Sequence, residues 1–522
     1  MKDQSVPNFL DLIIKGNILT MHDARPRVEA VGVKNGRIAI IGDRSDVAQQ
    51  AGKATRCLAL EDRTIIPGFI ETHMHPTHVG NVLLNVDLAE AASIDEILRK
   101  LEQRVSVTSP GEQILGLNFN YDIVKERRLP TKAELDNLSS AHPIIVLVYD
   151  VHSAMLNTCM LKKIDLPESI AGCVKDDRGR PTGLIVDPAI ALVLQQLLPE
   201  NESEIAIAVE AAVKEALSVG ITTLHMKEPH AILKAILKDE QRLPIRIKPM
   251  VVSKSPNHED LGEILQSEIY RHRAAVAFFA DGAPDSKTAA FFEPYSSDAT
   301  NFGILYYRDE ELEKHIETVH QAGFQVSVHT CGTRATEQVL NIYQKVLSRH
   351  PQTDHRHRIE HFEMPLGGQI KRAVDLQLAL AMQPMFLFLS GENTYENIRC
   401  LLGAERVGRW KPFRSILDAG GLIAGGSDAP VTKMNPLKSI QACILHPNER
   451  QRITRYEALR MFTLDAARIG FEEHLKGSIE PGKLADFTVL SANPYYVDAG
   501  EVGDINVSMT IVGGNIEYEA SK

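Results

Sequence analysis

The chain has 522 residues, 44% of them hydrophobic and 24% charged, the balance of an ordinary soluble globular protein. That length exceeds one simple core, so two or three domains are expected. A net charge of −11 argues against the basic face that a nucleic-acid partner requires, and a solvated acidic surface accounts for it without any special partner.

The six cysteines, Cys57, Cys159, Cys173, Cys331, Cys400 and Cys443, stand far apart. None forms a Cys-x-x-Cys pair, which argues against a disulfide framework and against a thiolate zinc site. Residues Met1 to Asn17 lack the apolar core of a signal peptide, and no apolar run is long enough to span a bilayer. The expectation is a cytoplasmic protein with a small-molecule substrate, no membrane or nucleic-acid partner and, at most, a second copy of itself in a homodimer.

In chain order, Asp11 to Asn17, Ala30 to Gly36 and Arg37 to Gly42 read as short strands, and Asn35-Gly36 is a hairpin turn signal. The C-terminus has the same texture at Ala485 to Leu490, Val507 to Val512 and Asn515 to Tyr518. Two β-rich ends around a mixed middle predict one composite β domain. The middle alternates short apolar strands with amphipathic helices, the pattern of a parallel α/β fold. Eight strands are predicted: Ile65–Thr72, Gly220–Met226, Ile245–Val252, Ala274–Ala280, Phe324–His329, Arg356–His361, Leu378–Gln383 and Leu422–Asp428. Apolar spacing predicts helices over Glu204–Val219 and Asp309–Ala322.

Eight such units fit a (β/α)8 TIM-like barrel with its active site at the C-terminal strand ends. The first interval is too long for one crossover, so it must hold an α+β insertion, because βα connections run to only about 2–6 residues. The expected division is a composite β-sandwich of 1–66 and 468–522, a barrel of 67–84 and 192–467, and an insertion, 85–191, capping the active site.

The first predicted barrel strand runs into His73-Met74-His75. Side chains two apart on a strand share a face, so both imidazoles can reach one point, and neutral imidazole is a common metal ligand. The fifth strand ends at His329, the sixth at His361 and the eighth at Asp428, where a barrel gathers its catalytic groups. Singly, His361 reads as a core histidine and Asp428 as a turn or cap residue. Together, three or four histidines and a carboxylate can hold a catalytic ion with a position open for water. Such an ion acidifies water and polarises a carbonyl. Asp428 could take the proton of that water and pass it to a leaving nitrogen.

Pro67-Gly68-Phe69-Ile70-Glu71-Thr72-His73-Met74-His75 closely resembles the first-strand signature of the metal-dependent amidohydrolase superfamily. More narrowly, the chain is similar to amidohydrolase family 3, the group of N-substituted formamide deformylases. The resemblance runs through Leu129-Pro130-Thr131, Asp150 to Asn157, Gly179 to Leu184, Ala280-Asp281-Gly282, His329-Thr330-Cys331-Gly332, His357 to His361, Gly426 to Val431 and Gly477 to Asp486. It implies the barrel with its β-sandwich and a hydrolase acting on an amide-like C–N bond: N-acyl, formamide or cyclic amide. It implies His73, His75, His329, His361 and Asp428 as metal ligands, with Asp428 and His361 catalytic and a divalent ion, zinc by default.

Two departures stand out. Where the family commonly places a lysine that, carboxylated, bridges two metals, this chain has Ala277, so one ion is expected rather than two. Where it usually has an aspartate after the fifth-strand histidine, this chain has Thr333. For the bridging lysine that Ala277 replaces, Lys227, at the end of the second strand, is a conceivable substitute, although an exposed loop lysine is the commoner case. His152, Asp122, Asp281 and Gln383 are candidate substrate contacts, with structural roles as their alternatives. Cys331 reads as a small buried residue with no sign of an activated thiolate. Two other readings remain open: a hydrolytic deaminase of an amino-substituted ring, and a non-catalytic binding protein on the same scaffold.

Overall fold

The computed structural model describes residues 9–121, 123–149, 153–164, 172–186, 189–195, 201–253, 258–389 and 394–521. Asp122 and His152 lie outside the described residues. The chain divides into two compact units, residues 1–76 with 213–522, and residues 77–212.

The larger unit contains an eight-stranded parallel sheet whose strands follow one another in chain order: Phe69–Met74, Ile221–Pro229, Arg246–Val252, Ala275–Phe279, Gln325–Thr330, Arg358–His361, Ala379–Met382 and Leu422–Gly425. They are called the first to eighth barrel strands below. Just beyond the eighth, Asp428 N–H donates to the His73 carbonyl at 2.8 Å, and His75 N–H donates to the Ala429 carbonyl at 2.9 Å. These bonds join the last strand to the first and bring the sheet to the closed parallel barrel expected from the alternation. The helices Asp309–Gln321 and Thr333–Arg349 flank the fifth strand. The first buries Leu312, Ile316 and Val319, the apolar stripe that its spacing predicted.

A seven-stranded sheet joins the termini. Its outer strands come from the N-terminal Arg27–Lys34 and Arg37–Gly42 hairpin and the C-terminal Val507–Val512 and Asn515–Glu519 hairpin. In the middle, Phe487–Leu490 pairs antiparallel with the end of Arg56–Pro67. Asn35 and Gly36 both take positive φ, 49° and 70°, as a tight two-residue hairpin requires. One core holds Val31 and Ile38 from one edge with Met509 and Ile511 from the other, so the sheet wraps on itself as a sandwich.

One predicted strand is corrected. Ile65–Thr72 is the junction of two strands: Arg56–Pro67 in the terminal sheet and Phe69–Met74 in the barrel, broken at Gly68. A Cβ at Gly68 would lie 2.2 Å from the Thr222 hydroxyl oxygen, so only glycine lets the chain pass between the sheets here. The continuous apolar run hid the break, and the barrel strand extends two residues beyond the predicted end.

The smaller unit carries a six-stranded mixed sheet, in the order Cys173–Lys175, Pro181–Val186, Ser153–Leu156, Ile144–Val148, Ile114–Phe119 and Val86–Asp87. Its two faces are covered by separate apolar clusters, one around Ile97, Phe119 and Val146 and one around Ile145, Leu156 and Ile185. No helix among the described residues is long and apolar enough to cross a membrane.

Candidate metal centre

At the end of the first barrel strand, His73 and His75 point to one face, as the strand period requires. Their rings lie 5.7 Å apart. The Asp428 Oδ1 lies 3.2 Å from His73 Nε2 and 3.3 Å from His75 Nε2. The His361 Nε2 stands 4.0 Å from the other Asp428 oxygen. The His361 ring is 4.3 Å from that of His329 and 5.1 Å from that of His73. All five predicted ligands therefore meet at the C-terminal mouth of the barrel. His361 and Asp428 both hold positive φ, 70° and 56°, a conformation costly for residues with a side chain and frequent at functional sites.

Below this ring lies a buried frame that sequence reasoning left unassigned. Glu360, at the end of the sixth strand, accepts from His73 Nδ1 at 2.7 Å through Oε2. It also accepts from Arg358 Nε and from the Ser327 hydroxyl, each at 2.7 Å, through Oε1, and from Arg358 Nη2 at 3.1 Å through Oε2. Neither Glu360 nor Arg358 has any side-chain exposure. Burial pushes the Glu360 carboxyl upward, but Arg358, the His73 hydrogen bond and Lys227 outweigh it and hold the group well below the usual carboxylate range. Glu71 Oε1 accepts the N–H groups of His73 at 3.0 Å and Ser427 at 2.8 Å, binding the first strand to the segment that carries Asp428. Strand alternation from His361 gave no signal for Glu360, because it would turn the glutamate away from the site.

This frame decides what His73 can do. With Nδ1–H given to Glu360, a neutral His73 presents only a lone pair at Nε2. That lone pair faces the Asp428 carboxylate, so two acceptors lie 3.2 Å apart. A cation must stand between them, either a proton or a metal ion. Burial and Lys227 lower the basicity of His73, yet Asp428 and Glu360 together raise it above the usual histidine value. Burial likewise raises Asp428, but His73, His75 and His361 hold it well below the normal range. Burial lowers His75, and burial with Lys227 lowers His329 to about 3, leaving both rings neutral and able to ligate. The donor set therefore fits a divalent cation.

Lys227 is not the exposed loop lysine expected from its position. It is buried on the second barrel strand, its Nζ 3.4 Å from His73 Nε2 and 4.2 Å from the Phe279 ring centre. The second strand runs to Pro229, two residues past Lys227, which draws the side chain into the barrel. Ala277, on the fourth strand, is buried too.

Two of the four candidate substrate contacts are described. Asp281 is buried and accepts the N–H groups of Ala290, Cys331 and Gly332 at 2.8, 3.0 and 2.8 Å. Burial raises its carboxyl to about 7 against those bonds. Its oxygens are committed to the loop, the alternative role weighed for it. Gln383 is buried, donates to the Ala381 carbonyl at 3.3 Å, and leaves Oε1 without a partner among the described residues.

Among the described residues, two groups of side chains are close enough to share an ion: His73, His75 and Asp428, and His329, Cys331 and His361.

Comparison with known proteins agrees with this geometry. A family model described as the amidohydrolase family matches residues 56–518. The putative amidohydrolase YtcJ of Bacillus subtilis is 30% identical over 97% of this chain and 99% of its own. An N-substituted formamide deformylase of Arthrobacter pascens is 27% identical over 97% of this chain and 98% of its own. The crystal structure of an uncharacterized metal-dependent hydrolase from Pyrococcus horikoshii superposes with a TM-score of 0.79 at 22% identity, covering 94% of this chain and 99% of that one, and shares the fold.

Proposed function

The chain belongs to the amidohydrolase family and is a hydrolase, and from that premise we propose that it cleaves an amide-like C–N bond, in an N-formyl, N-acyl or cyclic amide, with the help of a divalent ion, zinc by donor set. The observation that carries the metal is the pair of acceptors, His73 Nε2 and Asp428 Oδ1, held 3.2 Å apart by the Glu360 bond beneath. The C–N specificity rests on the family and on the deformylase similarity.

His73, His75 and Asp428 would hold the ion, with His329 and His361 beside them at the same mouth. When bound, a divalent ion supplies an acidified water and a polarised carbonyl. The chain's own residues do the rest. Glu360 fixes the tautomer of the neutral His73 ring, so that its lone pair is the one at Nε2. Burial, with Lys227 adding a positive charge beside them, keeps the His75 and His329 rings unprotonated, while at His73 the same charge opposes the pull of Asp428 and Glu360 without overcoming it. Asp428 has one oxygen toward the imidazoles and the other toward His361; it takes the proton of the attacking water and delivers it to the leaving nitrogen.

The test is a panel of N-formyl amines, N-acyl amines, cyclic amides and amino-substituted rings, assayed on metal-replete protein, chelated protein and Asp428→Asn. The reading expects equal release of carboxylate and amine, lost on chelation and restored by zinc. Ammonia from the aminated rings alone would make the protein a deaminase. Metal-independent turnover, or full activity in Asp428→Asn, would remove the proposed site.

A further inference from the structure

The loss of a lysine at position 277 points to one ion, yet the barrel mouth holds a second set of donors that needs no lysine. We infer that Cys331 is a metal ligand, and that it forms with His329 and His361 a second, sulfur-containing cation site beside the nitrogen and oxygen site of His73, His75 and Asp428. The ion it takes is a borderline-soft divalent metal such as zinc.

The sequence carries the same device twice. His73-Met74-His75 ends the first strand, and His329-Thr330-Cys331 ends the fifth, each with two ligating side chains at i and i+2 on one face. The Cys331 Sγ lies 3.5 Å from His329 Nε2. Their ligand atoms and one from His361 all lie within 4.8 Å of one another. That spacing suits donors about 2.0–2.3 Å from one ion, and two imidazoles with a thiolate leave a fourth position open. Thiolate and imidazole together favour zinc-like metals over magnesium or calcium.

Two further observations point to a ligand. His361 is 2% exposed, and its buried Nδ1 has no hydrogen-bond partner among the described residues, a polar group left wanting. Asp281, the carboxylate beside His329, cannot serve in place of the sulfur. Its Oδ1 is 3.9 Å from His329 Nε2, but both its oxygens are taken by the N–H groups of Ala290, Cys331 and Gly332. Those same bonds hold the Cys331 and Gly332 backbone, so the carboxylate fixes the cysteine next to His329. His329 Nε2 now faces the Gly282 carbonyl at 3.2 Å, and it must turn its lone pair to the ion for the site to fill. As the sulfur–metal bond forms, the Cys331 proton leaves to solvent and the charge of the thiolate offsets one charge of the ion.

This inference extends the metal-dependent reading above, and its test separates the two. Chelator-treated full-length protein is titrated with cobalt(II), followed by absorbance and by bound cobalt per chain. The expected result is two equivalents and a sulfur-to-cobalt charge-transfer band in the near-ultraviolet. Cys331→Ser should lose the band and one equivalent, while keeping the other. Cys331→His should restore the second equivalent without the band. Asp428→Asn should lose activity and weaken the first equivalent while the band survives. A wild-type protein with no band at saturating cobalt, or a band that survives Cys331→Ser, overturns the inference and leaves the hydrolase reading standing. Retention of both equivalents in Cys331→Ser overturns it equally.

Discussion

Replacing Glu360 with glutamine is the sharpest perturbation of this site, because the side chain keeps its shape and loses only charge and acceptor capacity. Both carboxylate oxygens already accept from two donors: Arg358 Nε and Ser327 on Oε1, His73 Nδ1 and Arg358 Nη2 on Oε2. A glutamine must turn its NH2 group toward one of these pairs. Toward His73, it forces Nδ1 to become the acceptor, so the ring proton moves to Nε2 and blocks the metal. Toward Ser327 and Arg358 Nε, it sets donor against a guanidinium that cannot give up its proton. The buried Arg358 also loses its counter-charge, which costs about 3–5 kcal/mol where a buried pair is broken. Loss of the partner that orients a ligating histidine weakens metal binding by about 10–100-fold, or about 1.4–2.8 kcal/mol. Competition against a chromophoric chelator measures the affinity, and a thermal melt reads the stability. The Glu360→Gln variant should therefore show a lower melting temperature and weaker zinc binding together. Zinc affinity within twofold of wild type would refute the assignment of Glu360 as the group that sets the His73 tautomer.

Further outcomes follow from other parts of the molecule. Asp428→Asn should lower kcat by about 10²–10⁴-fold, the range for removing a general acid–base group, with the circular dichroism spectrum unchanged; a fall below tenfold would take proton transfer away from this residue. Gly68→Ala should cost about 1–3 kcal/mol through overpacking against Thr222, read as a lower melting temperature that Thr222→Ala on the same background recovers. His446 is buried, donates through Nε2 to the Trp410 carbonyl and accepts the Asn448 N–H at Nδ1, and burial lowers it to about 4. Above about pH 6.5 the ring is neutral in the folded and unfolded chain alike. As pH falls from there toward 4, the unfolded ring binds a proton that the folded ring refuses, so stability drops by about 3 kcal/mol. Thermal melts between those pH values should flatten in His446→Gln; an unchanged slope would assign the acid sensitivity elsewhere.

The parts of this protein legible in its sequence are those written in local pattern. The period of two placed His73 with His75, the helical stripe placed Leu312, Ile316 and Val319, and Asn35-Gly36 set the hairpin. The meeting of the five candidate ligands was legible because each stands at a strand end and a barrel brings strand ends together. What was not legible depends on pairings between distant strands. Glu360 reads as one more residue of a motif until the barrel sets it under His73, 287 positions away. Lys227 reads as a loop lysine until the second strand proves longer than its apolar run. Cys331 reads as a small buried residue and is one, but its nearness to His329 and His361 shows only once the fifth and sixth strands stand side by side.

The charges at the mouth show why a cation belongs there. Arg358 and Glu360 satisfy one another and leave no net charge beneath the ring. Asp281 is spent on backbone N–H groups, and Glu71 on those of His73 and Ser427. Asp428 remains, a carboxylate turned toward three imidazoles, two of which burial holds neutral. Lys227 is the nearest fixed cation, but its Nζ contacts His73, and no ion pair joins it to Asp428 among the described residues. In a water-poor interior a carboxylate so placed is costly unless a positive charge reaches it directly. Protonating His73 supplies one charge, at the expense of a buried imidazolium beside a buried ammonium. A divalent ion at the same point supplies two, and it uses the lone pairs of His73 and His75 instead of displacing them. The mouth is therefore built to be completed by a metal, and removal of that metal should raise the apparent pKa of His73. The shift is measurable as a change in its ring chemical shifts on chelation, and rings that do not respond would contradict this arrangement.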